Sequence, residues 1–347
     1  MLDAWFAHRG LSMASLPDGG SAVPRFTSAI DEHRATRRGV GLFDFSFMGW
    51  WELAGGDARA CLERLQTRDL ASLESGRLLY TLLLRDDASV FVDATIWRIE
   101  RDRYWLFTGR RSDADHIAAC AAAFDVDIVA QHGKHAVIAV QGPSSVALLD
   151  SVLPHAEAGS LPFFAFRRHP IDGNDAWVAR IGYTGELGYE ILVPAGMAPA
   201  LWKRLAQTSI AAECRECGMD AANSLRIEAG FIHFAHELRE RVVPAELGLA
   251  RLVRSERLDF IGADALRNAG RARRRLAGIA LSRAGDHAPA RAARVHLTSE
   301  AYSPTFDREL GLAFVDTSLP RGAAVVTDDA RAGRLADLPF YTRPDVR

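Results

Sequence analysis

Apolar and polar positions along the chain fall into two runs with the same order of elements. GWWELAGG reads as a strand, and DARACLERLQ after it, Asp57 to Gln66, carries its apolar residues at helical spacing. From His135 the order repeats: AVIAVQGP reads as a strand running into a turn, and SSVALLDSVL as a helix capped by Ser144 or Ser145. Each helix is followed by two β-rich runs joined by a charged or glycine-rich turn, FVDATIWRIERDRYWLFTG in the first half and AWVARIGYTGELGYEILVP in the second. Each pair then leads into an amphipathic helix, SDADHIAACAAA and GMAPALWKRLAQ. Such a repeat predicts a duplicated α+β unit with antiparallel strands, whose interface suits a ligand pocket.

From Phe260 the texture changes. IGADALRNAGRARRRLAG gathers Arg267, Arg271, Arg273, Arg274 and Arg275, and reads as a solvated connector or a docking surface for an acidic tail. Beyond Leu276, short β-rich runs (GIALS, LGLAFVD, AAVVTD) separated by Gly, Pro and Asp predict a small barrel. The expected division is 1–133 and 134–265 as the two α+β units and 276–347 as a C-terminal β-barrel. A chain of 347 residues is long enough for several such domains.

Charge narrows the partners. Lys plus Arg number 42 against 44 for Asp plus Glu, so there is no global field for nucleic acid or an anionic membrane, and a small molecule fits better. No stretch approaches the ~20 apolar residues of a membrane span, and MLDAWFAHRG lacks the layout of a signal peptide. The cytoplasm is the expected compartment. Four cysteines include one C-x-x-C, Cys214 and Cys217, a spacing used by zinc and redox sites; without a second pair the simpler expectation is two free thiols at a helix end and no metal.

Three places carry candidate chemistry. Asp93 is an acid inside the apolar run SVFVDATIW, where an unpaired carboxylate would be costly, so it is a structural acceptor or a tuned site group. In GYTGELGYE, Tyr183 and Glu190 flank a glycine-rich turn; the motif is a plain hairpin, or an aromatic face beside a carboxylate suited to a flat heterocycle with N–H donors. In NSLRIEAG, Arg226 and Glu228 interrupt an apolar helix, for which an internal ion pair is the simplest account.

VGLFDFSFMG, the helix ending LQTRDL at Leu70, GRLLYTLLL, VQGP, GYTGELGYE, SLRIEAG and the late YSPTF with GLAFV resemble, in order and over nearly the whole chain, the aminomethyltransferase family of the glycine-cleavage T-protein. The resemblance implies a three-part folate-binding fold with the pterin of tetrahydrofolate deep in a central funnel. By position it implies Asp93 as the carboxylate near N10 of the folate and Tyr80, Tyr183 and Glu190 as pterin contacts. Tyr341 falls near a C-terminal site tyrosine, Trp97 on a pocket-lining position, and Phe47 and Met48 in a loop that approaches the folate. Arg226 is carried as a further cofactor contact. Three departures stand out. Only the second carboxylate of the family's acidic pair remains, its loop histidine is Phe47, and an arginine expected just before SLRIE is Ala222.

The function this implies is transfer of a methyl, methylene or aminomethyl carbon onto tetrahydrofolate as acceptor, with Asp93 as the catalytic carboxylate. The donor would be a small amine or methylated compound, or the arm of a lipoyl carrier protein. Two alternatives follow from the same resemblance: a non-catalytic folate-binding helper of the iron–sulfur assembly type, and a folate subunit of an amine-demethylating oxidase. Helper relatives carry a cysteine in the segment that here reads AGFIHFAHE, which has none.

Overall fold

The computed structural model describes residues 2–16, 20–208, 214–254, 259–283 and 291–344. The fold is mixed α+β. The helices expected from periodicity are present at Ala58–Leu65, Ala114–Ala121, Ser145–Val152 and Ala198–Ala206. Neither Ser144 nor Ser145 caps its helix in the expected way: Ser144 makes no side-chain cap bond, and Ser145 Oγ instead donates to Gly142 O at 2.6 Å.

The chain divides into two compact units. One takes the chain through Leu65, then Asp69–Thr81 and Asp93–Ala222; the other takes Gln66–Arg68, Leu82–Val92 and the chain from Asn223. A five-stranded sheet has the order Leu78–Leu84, Val90–Glu100, Arg103–Thr108, Gly49–Ala54, Asp127–Ala130. A six-stranded sheet has the order Phe166–Arg168, Trp177–Ala179, Gly188–Pro194, His135–Gln141, Val40–Asp44, Cys214–Glu216. Over the first four positions the two orders match: a leading strand, a hairpin pair, then the strand that opens each repeat. The repeat in the sequence is thus a repeat in topology.

Leu78–Leu84, His135–Gln141 and Gly188–Pro194 are buried at nearly every position, which is why they read as near-continuous apolar runs rather than alternating ones. One face of the six-stranded sheet packs Val140, Ile138, Tyr189, Ile191 and Val193 against helix residues Leu148, Leu149, Leu201 and Trp202. Each such fully buried side chain contributes about 1.5–3 kcal/mol relative to exposure. The opposite face carries Ala139, Ala179 and Glu190.

The second unit holds a six-stranded sheet in the order Ala293–Val295, Ala324–Thr327, Ala332–Ala336, Arg274–Leu281, Arg308–Asp316, Leu297–Ser303. It curls, with Ala293–Val295 returning beside Arg308–Asp316. The arginine-rich connector contains the helix Ala263–Asn268 and then enters this sheet. Three of its five arginines are already engaged. Arg267 pairs with Asp264, Arg274 with Glu246 at 2.8 Å and with Glu240, and Arg275 donates to Leu319 O at 3.2 Å. Among the described residues no helix is long and apolar enough to cross a membrane.

Candidate functional site

Tyr80 occupies the one incompletely buried position of Leu78–Leu84. Its hydroxyl donates to Asp93 Oδ2 at 3.0 Å from the neighbouring strand. Asp93 is half-buried, and burial is the main cause that pushes its pKa up to about 6. The Tyr80 bond, a backbone hydrogen bond to the carboxylate and, less, the charge of Arg110 oppose that rise, while the charge of Asp113 adds to it. Asp93 therefore changes charge close to neutrality, with Oδ2 held by Tyr80.

Trp97, four residues on and on the same strand face, is enclosed by protein. It is 1% exposed, donates from Nε1 to Thr95 Oγ1 at 2.9 Å, and packs against Phe107 and Phe166 with ring centroids 5.0 Å away in each case. It supports the floor beside Asp93.

Glu190 stands opposite Ala179 on one neighbouring strand and Ala139 on the other, and Ala179 stands opposite Phe166. These four residues form one row on one face of the six-stranded sheet. The ring of Phe166 meets Trp97, so the face carrying Glu190 looks toward the strand face carrying Asp93. Two alanines leave the carboxylate uncrowded. Among the described residues none hydrogen-bonds it, and burial alone pushes its pKa up to about 7. A buried carboxylate without donors costs stability unless something supplies them. Tyr189, in the same motif, faces the core instead and donates to Ala158 O at 2.9 Å.

The loop bearing Tyr183 is built by Gln141, the glutamine of VQGP, which residue pattern alone does not single out. Its Nε2 donates to Ile181 O and Tyr189 O at 3.3 Å each, and its Oε1 accepts from Thr184 Oγ1 at 3.0 Å. Gly182 and Gly188 are glycines for this reason: a Cβ at either would overlap the Gln141 amide. Arg37 closes the loop from the other side, donating to Thr184 O and pairing with Glu186, each at 2.9 Å, with both side chains largely buried. Tyr183 is half-buried in this braced loop.

A second unforeseen feature is Phe163 and Phe164, whose rings stack at 4.2 Å with Phe163 60% exposed. Phe164 has φ +59°, a costly conformation for a bulky residue. Its carbonyl accepts from Leu78 N at 3.0 Å and its amide donates to Arg180 O at 3.1 Å, tying it to the segments that lead to Tyr80 and Tyr183. The signal for it was the paired aromatics of LPFFAF.

Phe47 and Met48 lie in the turn after Val40–Asp44, where Met48 N donates to Phe45 O at 3.2 Å. Phe47 lines a recess with Asp3, Ser21, Asp44, Ser46 and Arg111. Burial also pushes Asp44 up to about 6. The structure thus brings Tyr80 and Asp93 into contact and turns Glu190 toward them.

Arg226 and Tyr341 belong to the second unit. Arg226 is an internal ion-pair residue: it meets Glu237 at 2.9 Å, Asn223 Oδ1 at 2.9 Å, Phe231 O at 3.1 Å and Ser299 Oγ at 2.7 Å, using four of its five N–H groups. Its partner is Glu237, not the Glu228 of its own helix, which accepts from Ser303 and from Thr305 at 3.1 Å. Tyr341 is half-buried, and its amide donates to Glu228 O at 2.9 Å. Cys214 and Cys217 are free thiols that bracket the short strand Cys214–Glu216, not a helix end as expected, with Cys217 Sγ 3.7 Å from Thr36 Oγ1.

The family model described as the GCVT N-terminal domain matches residues 4–257. The chain belongs to the GCVT family. An aminomethyltransferase of Streptomyces coelicolor is 33% identical, over 99% of this chain and 97% of the relative. One of Bacillus subtilis is 33% identical, over 94% of each. Among solved structures, the glycine cleavage system aminomethyltransferase T of Bartonella henselae superposes with a TM-score of 0.81 at 25% identity, covering 98% of this chain and 97% of that one. The GCVT match ends at residue 257, and the likeness to these relatives continues through the C-terminal sheet.

Proposed function

We propose that the protein is a tetrahydrofolate-dependent one-carbon transferase of the aminomethyltransferase type. The observation that carries the reading is Glu190, a buried carboxylate without donors, set between two alanines on the face turned toward Asp93. A pterin ring supplies paired N–H donors to such a group. When bound, tetrahydrofolate supplies the amine nitrogen that accepts the carbon. Glu190 would orient the ring, and the half-buried Tyr80 and Tyr183 would flank it. Asp93, its Oδ2 held by Tyr80, would face the reacting amine and balance positive charge there. Assistance of this kind is worth roughly 10²–10⁴ in rate. The carbon donor is a small amine or methylated compound, or the arm of a lipoyl carrier protein.

The direct test is anaerobic incubation with tetrahydrofolate and candidate donors, followed by mass spectrometry of the folate. A new one-carbon folate supports the reading, and unmodified folate with every donor class overturns it. Tetrahydrofolate alone should raise the melting temperature, because a ligand that binds only the native state stabilises it, by about 2.7 kcal/mol at a hundred times Kd. A flat titration with several reduced folates would remove the folate from the proposal.

Glu190→Ala should weaken folate binding by about 1–3 kcal/mol, the cost of leaving ring donors unpaired. pH gives an independent check. The ring needs the ionised carboxylate, and the free group sits at about 7, so affinity should rise about tenfold from pH 6 to pH 8 in the native protein and stay level in Glu190→Ala. Calorimetry at the two pH values decides it.

A further inference from the structure

The helices Ala58–Leu65 and Ala114–Ala121 follow Gly49–Ala54 and Arg103–Thr108, two strands that pair along their length, and the helices pack on each other in turn. Each carries one cysteine into that contact. Cys120 Sγ lies 3.9 Å from the carbonyl oxygen of Cys61, and the two thiols hydrogen-bond to each other. Their surroundings differ. Cys61 is wholly buried, whereas Cys120 is half-buried and reaches solvent. Arg64, one turn beyond Cys61 on the same helix, brings a positive charge near the Cys120 sulfur. Donation from the Cys61 thiol, and then the Arg64 charge, hold the Cys120 thiol below its ordinary range although burial opposes them. The same bond, together with burial, pushes the Cys61 thiol up. An accessible thiol that ionises readily, in contact with a buried second thiol, is the arrangement of an attacking and a resolving cysteine. Neither stands on the sheet faces that carry Asp93 and Glu190.

We propose that Cys61 and Cys120 are a reversible oxidation site, at which a peroxide converts two contacting thiols into a disulfide that joins the helices Ala58–Leu65 and Ala114–Ala121. The Cys120 thiolate attacks one oxygen of hydrogen peroxide and the O–O bond breaks. Cys120 becomes a sulfenic acid, and the other oxygen leaves as water with the proton that Cys120 gave up. The Cys61 sulfur then attacks the Cys120 sulfur, the S–O bond breaks, and a second water leaves with the Cys61 proton. The two thiols thus lose two electrons and two protons, and the peroxide is reduced to two waters. Because Cys61 is already in contact, it closes the disulfide before the sulfenic acid is oxidised further. The cross-link closes a loop of about 60 residues that contains Tyr80 and Asp93, and a loop of that length restricts the unfolded chain.

The test uses the full chain, reduced, freed of reductant and treated with a small excess of hydrogen peroxide. Trypsin cuts at Arg59, Arg64, Arg111 and Lys134, so each of the two cysteines falls on its own peptide. Mass spectrometry without reduction should find those peptides joined, two hydrogens lighter than their sum, and separated again by dithiothreitol. The melting temperature should rise by about 5–10 °C on oxidation and fall back on reduction. In Cys61→Ser the cross-link should be absent and dimedone should tag Cys120. In Cys120→Ser dimedone should leave the buried Cys61 untagged. Peptides that stay unjoined in the native protein overturn the proposal, whether both thiols remain free or Cys120 alone passes to the sulfinic acid. A disulfide that takes Cys214 or Cys217 in place of either partner overturns it as well.

Discussion

Replacing Asp93 by Asn is expected to lower one-carbon transfer by about a hundredfold or more while tetrahydrofolate affinity changes little. Asn keeps the shape of the side chain and can still accept from the Tyr80 hydroxyl, so the variant removes charge and little else. The pH profile carries the same claim. With its pKa at about 6, the native carboxylate should lose activity as pH falls through that value, and Asp93→Asn should have no such limb. Stability runs the opposite way. A carboxyl whose folded pKa is raised contributes stability below its unfolded value, and that contribution is lost as pH rises through the folded one. Asp93→Asn should therefore gain melting temperature over the native protein between about pH 4 and about pH 6 and keep the gain above. A stabilising substitution that abolishes turnover marks a site group, because a structural acceptor would lose stability instead. Unchanged transfer in Asp93→Asn would remove Asp93 from the mechanism and leave a purely positional site.

The contrast between Asp93 and Arg226 shows what the residue pattern could carry. An acid in the apolar run SVFVDATIW is conspicuous because burial without a partner is costly, and the structure supplies the partner in Tyr80. An arginine in an apolar helix is conspicuous for the same reason, but its partner, Glu237, lies 11 residues on, outside the helical spacing that links side chains by periodicity. The α+β class and the repeated order of elements followed from period and turn chemistry. That Val40–Asp44 pairs beside His135–Gln141 did not, because VGLFD is short and without polar side chains until Asp44, and such a run names no neighbour. Gln141 was silent for a different reason. A glutamine before Gly-Pro looks like a turn residue, and its role depends on two glycines 41 and 47 positions later leaving room for it. Phe166 likewise acquires meaning only through register, which puts it in line with Glu190 and against Trp97.

Removing either partner of the Arg226–Glu237 pair should destabilise the protein by about 3–5 kcal/mol, since it leaves an uncompensated charge in a site from which water is excluded. Arg226 and Glu237 are both essentially unexposed, at 1% and 0%. Glu237 also accepts from His233 N and Thr298 Oγ1 at 2.8 Å each, so its loss leaves several donors unpaired at once. His233 cannot take over the charge, because burial first, and then the charges of Arg226 and His236, push its pKa down to about 3. Arg226→Met and Glu237→Met should each lower the urea midpoint strongly, and the double variant should be less destabilised than the sum of the two, because no lone charge remains. The same series separates a structural arginine from a ligand contact. If Arg226 belongs to the interior of the second unit, the native fraction of Arg226→Met binds tetrahydrofolate with nearly the affinity of the unaltered protein. If affinity collapses while the urea midpoint holds, the guanidinium reaches the ligand, and its place among Glu237, Asn223 and Ser299 gives way when folate binds.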